Sequence, residues 1–256
     1  MNVVEAATQS DIGKRSRMQD AMVHARDLYG TNYIGVFDGH MDEGALFANA
    51  AARLTYQYAT EKPFRSALRN ASRIKDLFKN LHQVYEGYEE TQVGGTTATV
   101  AVVGNGYLGV PYIGDSEAAY FSDDGNVTYL TQPHNTSNIS EVKSITNKGI
   151  GLWKQEGNIY FTDMRDKRSG IIALSRSIGD YNFSFLNRES EVVSTRINSP
   201  GFLVVGSDGT WSSHREVDEI VHATKKVGLQ AMADLLIEAG VTRTRDNASV
   251  IVARVE

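Results

Sequence analysis

Three apolar, β-prone runs in this chain each stop at an aspartate with glycine beside it. Tyr33 to Phe37 runs into Asp38-Gly39-His40, Tyr107 to Ile113 into Gly114-Asp115-Ser116, and Phe202 to Val205 into Gly206-Ser207-Asp208-Gly209. A fourth aspartate, Asp246, stands just before the run Ala248 to Val252. A buried strand holds its terminal side chain rigidly, and the glycine lets the backbone turn and approach whatever that side chain binds. Alone, Val36 to His40 favours an ordinary Asp-Gly turn followed by a solvated histidine. Several such ends in one chain ask for a common explanation.

The elements between these strand ends suggest a layered α+β domain. Ser10 to Asp20 is a charged loop containing Lys14, Arg15 and Arg17, which could grip a phosphate or simply be solvated, and Ala21 to Ala25 is a short strand. Residues 42–60 read as an alanine-rich helix. A second helix, over about 64–90, carries Ile74, Leu77, Phe78, Leu81, Val84, Tyr85 and Tyr88 at the three-and-four spacing of a core stripe. Asn105-Gly106 is a hairpin turn between Thr96–Val103 and Tyr107–Ile113, and the sheet continues through Ala118–Phe121 and Val127–Leu130. Residues 138–199 are irregular, with a helix near Glu141 to Lys148, as expected of a functional flap or a mobile loop. Ser213 and Glu216 have capping-box spacing for a helix with Val217, Ile220 and Val221 inward, and another helix follows over 229–239. Strands, two helices, strands and two helices make one domain over residues 1–256.

Charge and composition narrow the function. The net charge of −5 with scattered Lys and Arg gives no footprint for nucleic acid. No run approaches the roughly 18 apolar residues of a membrane span, and the N-terminus is neither a signal peptide nor a myristoylation site. The expectation is a soluble monomer, cytoplasmic or nuclear. With no cysteine, thiolate chemistry is excluded, so hydrolysis must use oxygen, nitrogen or metal.

Clustered carboxylates repel and take up protons unless a cation balances them. All-oxygen ligation suits Mg²⁺ or Mn²⁺, and two such ions about 4 Å apart can activate a shared water toward phosphorus or a carbonyl carbon. Arg15 would then orient a phosphoryl group and His40 would protonate the leaving oxygen. The competing account is that these aspartates merely end strands on separate edges.

The ordered segments Arg15-x-x-Met18-Gln19-Asp20, Val36-Phe37-Asp38-Gly39-His40, Gly95-Thr96-Thr97-Ala98, Gly114-Asp115-Ser116, Leu174-Ser175-Arg176-Ser177-Ile178-Gly179-Asp180, Ser207-Asp208-Gly209-x-Trp211 and Arg245-Asp246-Asn247-x-Ser249-Val250 resemble the metal-dependent Ser/Thr protein phosphatases of the type 2C (PPM) family. The resemblance runs from about Gly13 to Val252. It implies a four-layer αββα sandwich, two mostly antiparallel sheets flanked by pairs of antiparallel helices, with two or three divalent cations, Mn²⁺ or Mg²⁺. By it, Asp38 bridges two metals, the Gly39 carbonyl binds one, and Asp208 and Asp246 bind the other. Asp115 binds a third with Asp208, and Asp20 supports metal-bound waters. Arg15 holds the phosphate of a phosphoprotein substrate, His40 is the general acid, and no phosphoenzyme forms.

Gln19 replaces the usual Glu, Glu117 an Arg, Ser212 an Asp and Pro133 an Asp, and Met41-Asp42 interrupts the usual glycines after His40. Changes around metal ligands can cost roughly 10- to 100-fold in affinity or activity. The expectation is an active but weak or metal-demanding enzyme, with a catalytically silent phosphatase-like binding domain as the alternative. A hydrolase of small phosphoesters would use the same ligands.

Overall fold

The computed structural model describes residues 1–61, 63–85, 94–164, 170–211 and 213–256. In chain order the elements are β1 (Val3–Asp11), β2 (Ala21–Arg26), β3 (Asn32–Phe37), β4 (Gly39–His40), α1 (Gly44–Glu61), α2 (Ala67–Tyr85), β5 (Gly95–Thr96), β6 (Ala98–Gly104), β7 (Tyr107–Ile113), β8 (Glu117–Ser122) and β9 (Val127–Tyr129). Then come α3 (Ile139–Thr146), β10 (Gly151–Gln155), β11 (Asn158–Thr162), β12 (Ile178–Gly179), β13 (Glu191–Arg196), β14 (Gly201–Gly206), α4 (His214–Thr224), α5 (Leu229–Arg243) and β15 (Ala248–Val255).

Two five-stranded antiparallel sheets, ordered β13-β7-β6-β3-β2 and β1-β15-β14-β8-β9, form the middle of the molecule. Side-chain alternation sorts their residues into layers. Ile34, Val36, Ala101 and Val103 meet Leu203, Val205, Ile251 and Ala253 between the sheets. On the outer face of the first sheet, Tyr33, Phe37, Val100 and Val102 pack on α1 and α2. On the outer face of the second, Val204, Val250 and Val252 pack on α4 and α5. Because both faces are covered, these strands read as continuous apolar runs, each fully buried Val or Ile contributing about 1.5–3 kcal/mol. The αββα layering expected from the resemblance is therefore present.

The α2 stripe is core as the spacing predicts: Ile74, Leu77, Phe78 and Leu81 are all buried. The side chains of Val84 and Tyr85, and Tyr88 and Ser212 altogether, lie outside the described residues. Ser213 is the N-cap of α4, but its side chain makes no capping hydrogen bond. Glu216, the other half of the expected capping box, instead accepts from Arg243 at 2.7 Å on α5, so a contact between helices displaces the local one.

Two strands of the five-stranded sheets are absent from the sequence expectations. β1 pairs with β15, and β13 pairs with β7 to close the edge of the first sheet. The stretch 138–199 thus contains α3, the β10–β11 hairpin and a sheet strand. It also has its own small core, in which Ile145, Phe161, Ile172, Leu174 and Phe183 pack together. Among the described residues, no helix is long and apolar enough to cross a membrane.

Candidate active site

The expected aspartates converge where the strands end. Carboxylate oxygens of Asp38, Asp115 and Asp208 all lie within 4.8 Å of one another. Asp38 follows β3, Asp115 follows β7 and Asp208 follows β14, so the two sheets bring three remote chain segments to one edge. Asp246, entering β15, lines the same cavity of about 710 Å³, as do Arg15 and His40. Asp20 is buried within electrostatic reach of Asp38, and Gly39 follows Asp38 at the start of β4. A side chain at 39 would collide with the backbone of Gly44 and Gln19, so only glycine lets β4 pass this closely.

The electrostatics follow from crowding. Burial, then Asp20 and Asp208, holds the Asp38 carboxyl well above its ordinary range. Burial and Asp208 push Asp115 up to about 7. Asp20 rises to about 6 through burial, against the hydroxyls of Ser249 and Ser207, the latter donating to its Oδ2 at 2.9 Å. Asp208, although open to the cavity, is raised by the desolvation of the crowded site and by Asp246. Such a group is poorly balanced by itself, and its donors are all oxygen, so it fits hard divalent cations.

Arg15 reaches the cluster but spends its guanidinium on Asp246, Nη2 to Oδ2 at 2.5 Å. Its loop is anchored by Asn247, whose Nδ2 donates to the carbonyls of Ile12 and Arg17 at 2.9 and 3.2 Å and whose Oδ1 accepts from Gln19 N at 2.8 Å.

His40 stands on the cavity wall with Nε2 2.6 Å from Asp180 Oδ2. Burial alone would lower its pKa, but the charge and hydrogen bond of Asp180 win, and the net shift is upward. Asp180 is fully buried and also accepts from Ser177 Oγ at 2.5 Å. Sequence reasoning gave Asp180 no role.

Three more supports went unread. Thr97 Oγ1 accepts from Asp38 N at 3.0 Å, and Asn135 Nδ2 donates to Asp115 Oδ2 at 3.0 Å. Buried His134, its pKa lowered to about 4 by burial and Arg176, accepts from Gly114 N at Nδ1 and braces the turn carrying Asp115. The Gly-Thr-Thr and Gly-Asp segments were signals for Thr97 and Asp180; nothing local pointed to Asn135.

Two of the departures are engaged by partners other than the carboxylate cluster, although Glu117 still feels the charge of Asp208. Gln19 Nε2 donates to the Met41 carbonyl at 2.5 Å, and Glu117 Oε2 pairs with His214 Nε2 at 2.8 Å.

Comparison with known proteins identifies the family. Residues 10–248 match the family described as Protein phosphatase 2C. The chain is 26% identical to Probable protein phosphatase 2C 11 of Arabidopsis thaliana, over 95% of this chain and 64% of that one. It is 27% identical to bovine (Bos taurus) Protein phosphatase 1L, over 81% and 59% respectively. It therefore spans less than two thirds of these relatives' length. Among solved structures, the serine-threonine phosphatase 2C of Toxoplasma gondii superposes with a TM-score of 0.78 at 18% identity, over 98% of this chain and 94% of that one. Stp1 of Staphylococcus aureus superposes at 0.70 with 17% identity, over 100% and 98%. With a match spanning nearly the whole chain, and with strand-end aspartates gathered at one edge of an αββα sandwich, the chain belongs to the protein phosphatase 2C family.

Proposed function

We propose that this chain is a metal-dependent protein serine/threonine phosphatase that hydrolyses phosphomonoesters by direct attack of water, without a phosphoenzyme. The observation that carries the reading is the convergence of Asp38, Asp115 and Asp208 within 4.8 Å in a cavity shared with Asp246, Arg15 and His40. Asp38 would hold two cations, Mn²⁺ or Mg²⁺, with the Gly39 carbonyl on one and Asp208 and Asp246 on the other. Asp115 with Asp208 would hold a third, and Asp20 would accept hydrogen bonds from metal-bound water. The chemistry such cations supply is charge compensation and activation of the attacking water.

The chain's own residues do the rest. Arg15 exchanges Asp246 for two phosphoryl oxygens; its side chain is half exposed, so releasing that ion pair costs about 1 kcal/mol or less. His40, held protonated by Asp180, gives its proton to the leaving serine or threonine oxygen. The described residues of 138–199 that precede β13 serve as the flap beside the cavity, and from them Ile159, Tyr160 and Ile172 reach its lining. Purified protein with millimolar Mn²⁺ or Mg²⁺ should release phosphate from a phosphothreonine peptide, and Asp38→Asn or chelation should abolish this. Absence of phosphate release with either metal would sink the proposal.

A further inference from the structure

The lining of the same cavity bears on which phosphoproteins enter it. Near the β10–β11 turn, Ile159 is 43% exposed at the rim, with Tyr160 and Ile171 half-buried beside it. Behind them Ile172 and Leu174 are fixed in the small core of the flap, so this apolar surface is held rather than loose. A different part of the rim comes from the α5–β15 connection. There Arg243 is tied to Glu216 at 2.7 Å and Arg15 to Asp246, whereas Arg245 is exposed and has no ion pair among the described residues.

An exposed isoleucine at the mouth of a carboxylate-lined cavity gains from being covered by apolar surface. An exposed arginine beside Asp246 gains from an anion other than the phosphate, whose proposed partner is Arg15. An extended peptide advances about 3.3 Å per residue, so residues flanking a phosphorylated side chain reach the rim while a small phosphoester does not. Resting on the phosphatase reading, we infer that the preferred substrate segment flanks its phosphorylated residue with a bulky apolar side chain, seated on Ile159 and Tyr160, and with a carboxylate side chain, seated on Arg245. Both contacts lie outside the chemistry and select among phosphoproteins.

The test uses matched phosphothreonine peptides in which one flank is Glu or Lys and the other Leu or Gly, each made in both chain directions, with p-nitrophenyl phosphate as reference. In one direction the Glu/Leu peptide should exceed the Lys/Leu peptide in kcat/KM by about fivefold, and the Glu/Gly peptide by about tenfold. Arg245→Gln should bring the Glu-to-Lys ratio toward one and leave the Leu-to-Gly ratio in place; Ile159→Ser should do the reverse. Reading ratios cancels any general loss of activity. Equal turnover of all peptides, or ratios unmoved by these variants, overturns the inference and leaves the phosphatase reading standing. Failure to hydrolyse any substrate, p-nitrophenyl phosphate included, overturns both.

Discussion

Gln19 donates its side-chain amide to the carbonyl of Met41 at 2.5 Å, and Met41 stands at φ 64°, in the left-handed region, with its side chain against the small core of the flap. The two residues are departures from the family pattern, and they answer one another. A glutamate at 19 could not donate and would set a carboxylate against that carbonyl. Gln19→Glu, although it restores the usual family residue, is therefore expected to lower stability by about 1–2 kcal/mol and to reduce turnover, because the strained turn after His40 loses its clasp. Thermal denaturation and phosphatase assays check this. A gain in activity with no loss of Tm would show that position 19 acts on the metals instead.

His40 and Asp180 are 140 residues apart in sequence and 2.6 Å apart in space. Asp180 raises the His40 pKa, so the protonated acid persists to higher pH than burial alone would allow. In Asp180→Asn the activity should fall off at lower pH, on the alkaline side of the profile. Turnover of phosphothreonine peptides should drop by at least about tenfold, whereas p-nitrophenyl phosphate, whose leaving group departs without a proton, should be little affected. Equal losses on both substrates would assign Asp180 to holding the loop rather than tuning the acid.

The sequence disclosed whatever leaves a local pattern. β3, β7 and β14 are legible because both faces are buried, and the turn at Asn105-Gly106 because its residues take φ of 53° and 77°. β1 and β13 are edge strands that expose most side chains, so no apolar run marks them; only their partners β15 and β7, far along the chain, make them strands. The site divides in the same way. Asp38, Asp115 and Asp208 are readable as strand ends, but Asp180, Asn135 and His134 act through hydrogen bonds to other segments and have no periodicity of their own.

Arg176 illustrates a role that sequence could not assign, since an arginine in a phosphatase-like motif could equally bind phosphate. Its guanidinium lies 2.5 Å from Glu141 and 2.9 Å from Glu191, and Ser175 Oγ donates to Glu141 at 2.5 Å. His134, Glu141 and Glu191 bring ligand atoms within 4.8 Å of one another, and Arg176 fills that group with a protein cation and ties α3 to β13. Glu141 is 5% exposed, so Arg176→Met leaves a buried carboxylate unpaired at a cost of about 3 kcal/mol. For a chain of this size the Tm should fall by about 6–12 °C, with part of the loss recovered in the double variant Arg176→Met/Glu141→Met. A single-variant loss below about 1 kcal/mol would mean that the flap is anchored elsewhere.

The carboxylate cluster predicts how metal and pH act together. In the metal-free fold Asp115 is raised to about 7 and Asp20 to about 6, against about 3.9 for an unfolded aspartate. Between about pH 4 and 7 the folded chain binds more protons at these sites than the unfolded chain does. Their contribution to stability is thus present at low pH and lost as pH rises through the folded values. Half-buried His82 and buried His134, lowered to about 4, act in the opposite sense below about pH 6.5, so the raw Tm does not isolate the cluster. The rise in Tm on adding Mn²⁺ does, because the cation must displace those same protons. At fixed Mn²⁺ that rise should be about 3 °C larger at pH 8 than at pH 6, roughly one proton displaced over one pH unit, and the difference should shrink in Asp115→Asn. Equal metal-induced rises at the two pH values would show that the cation binds away from Asp115.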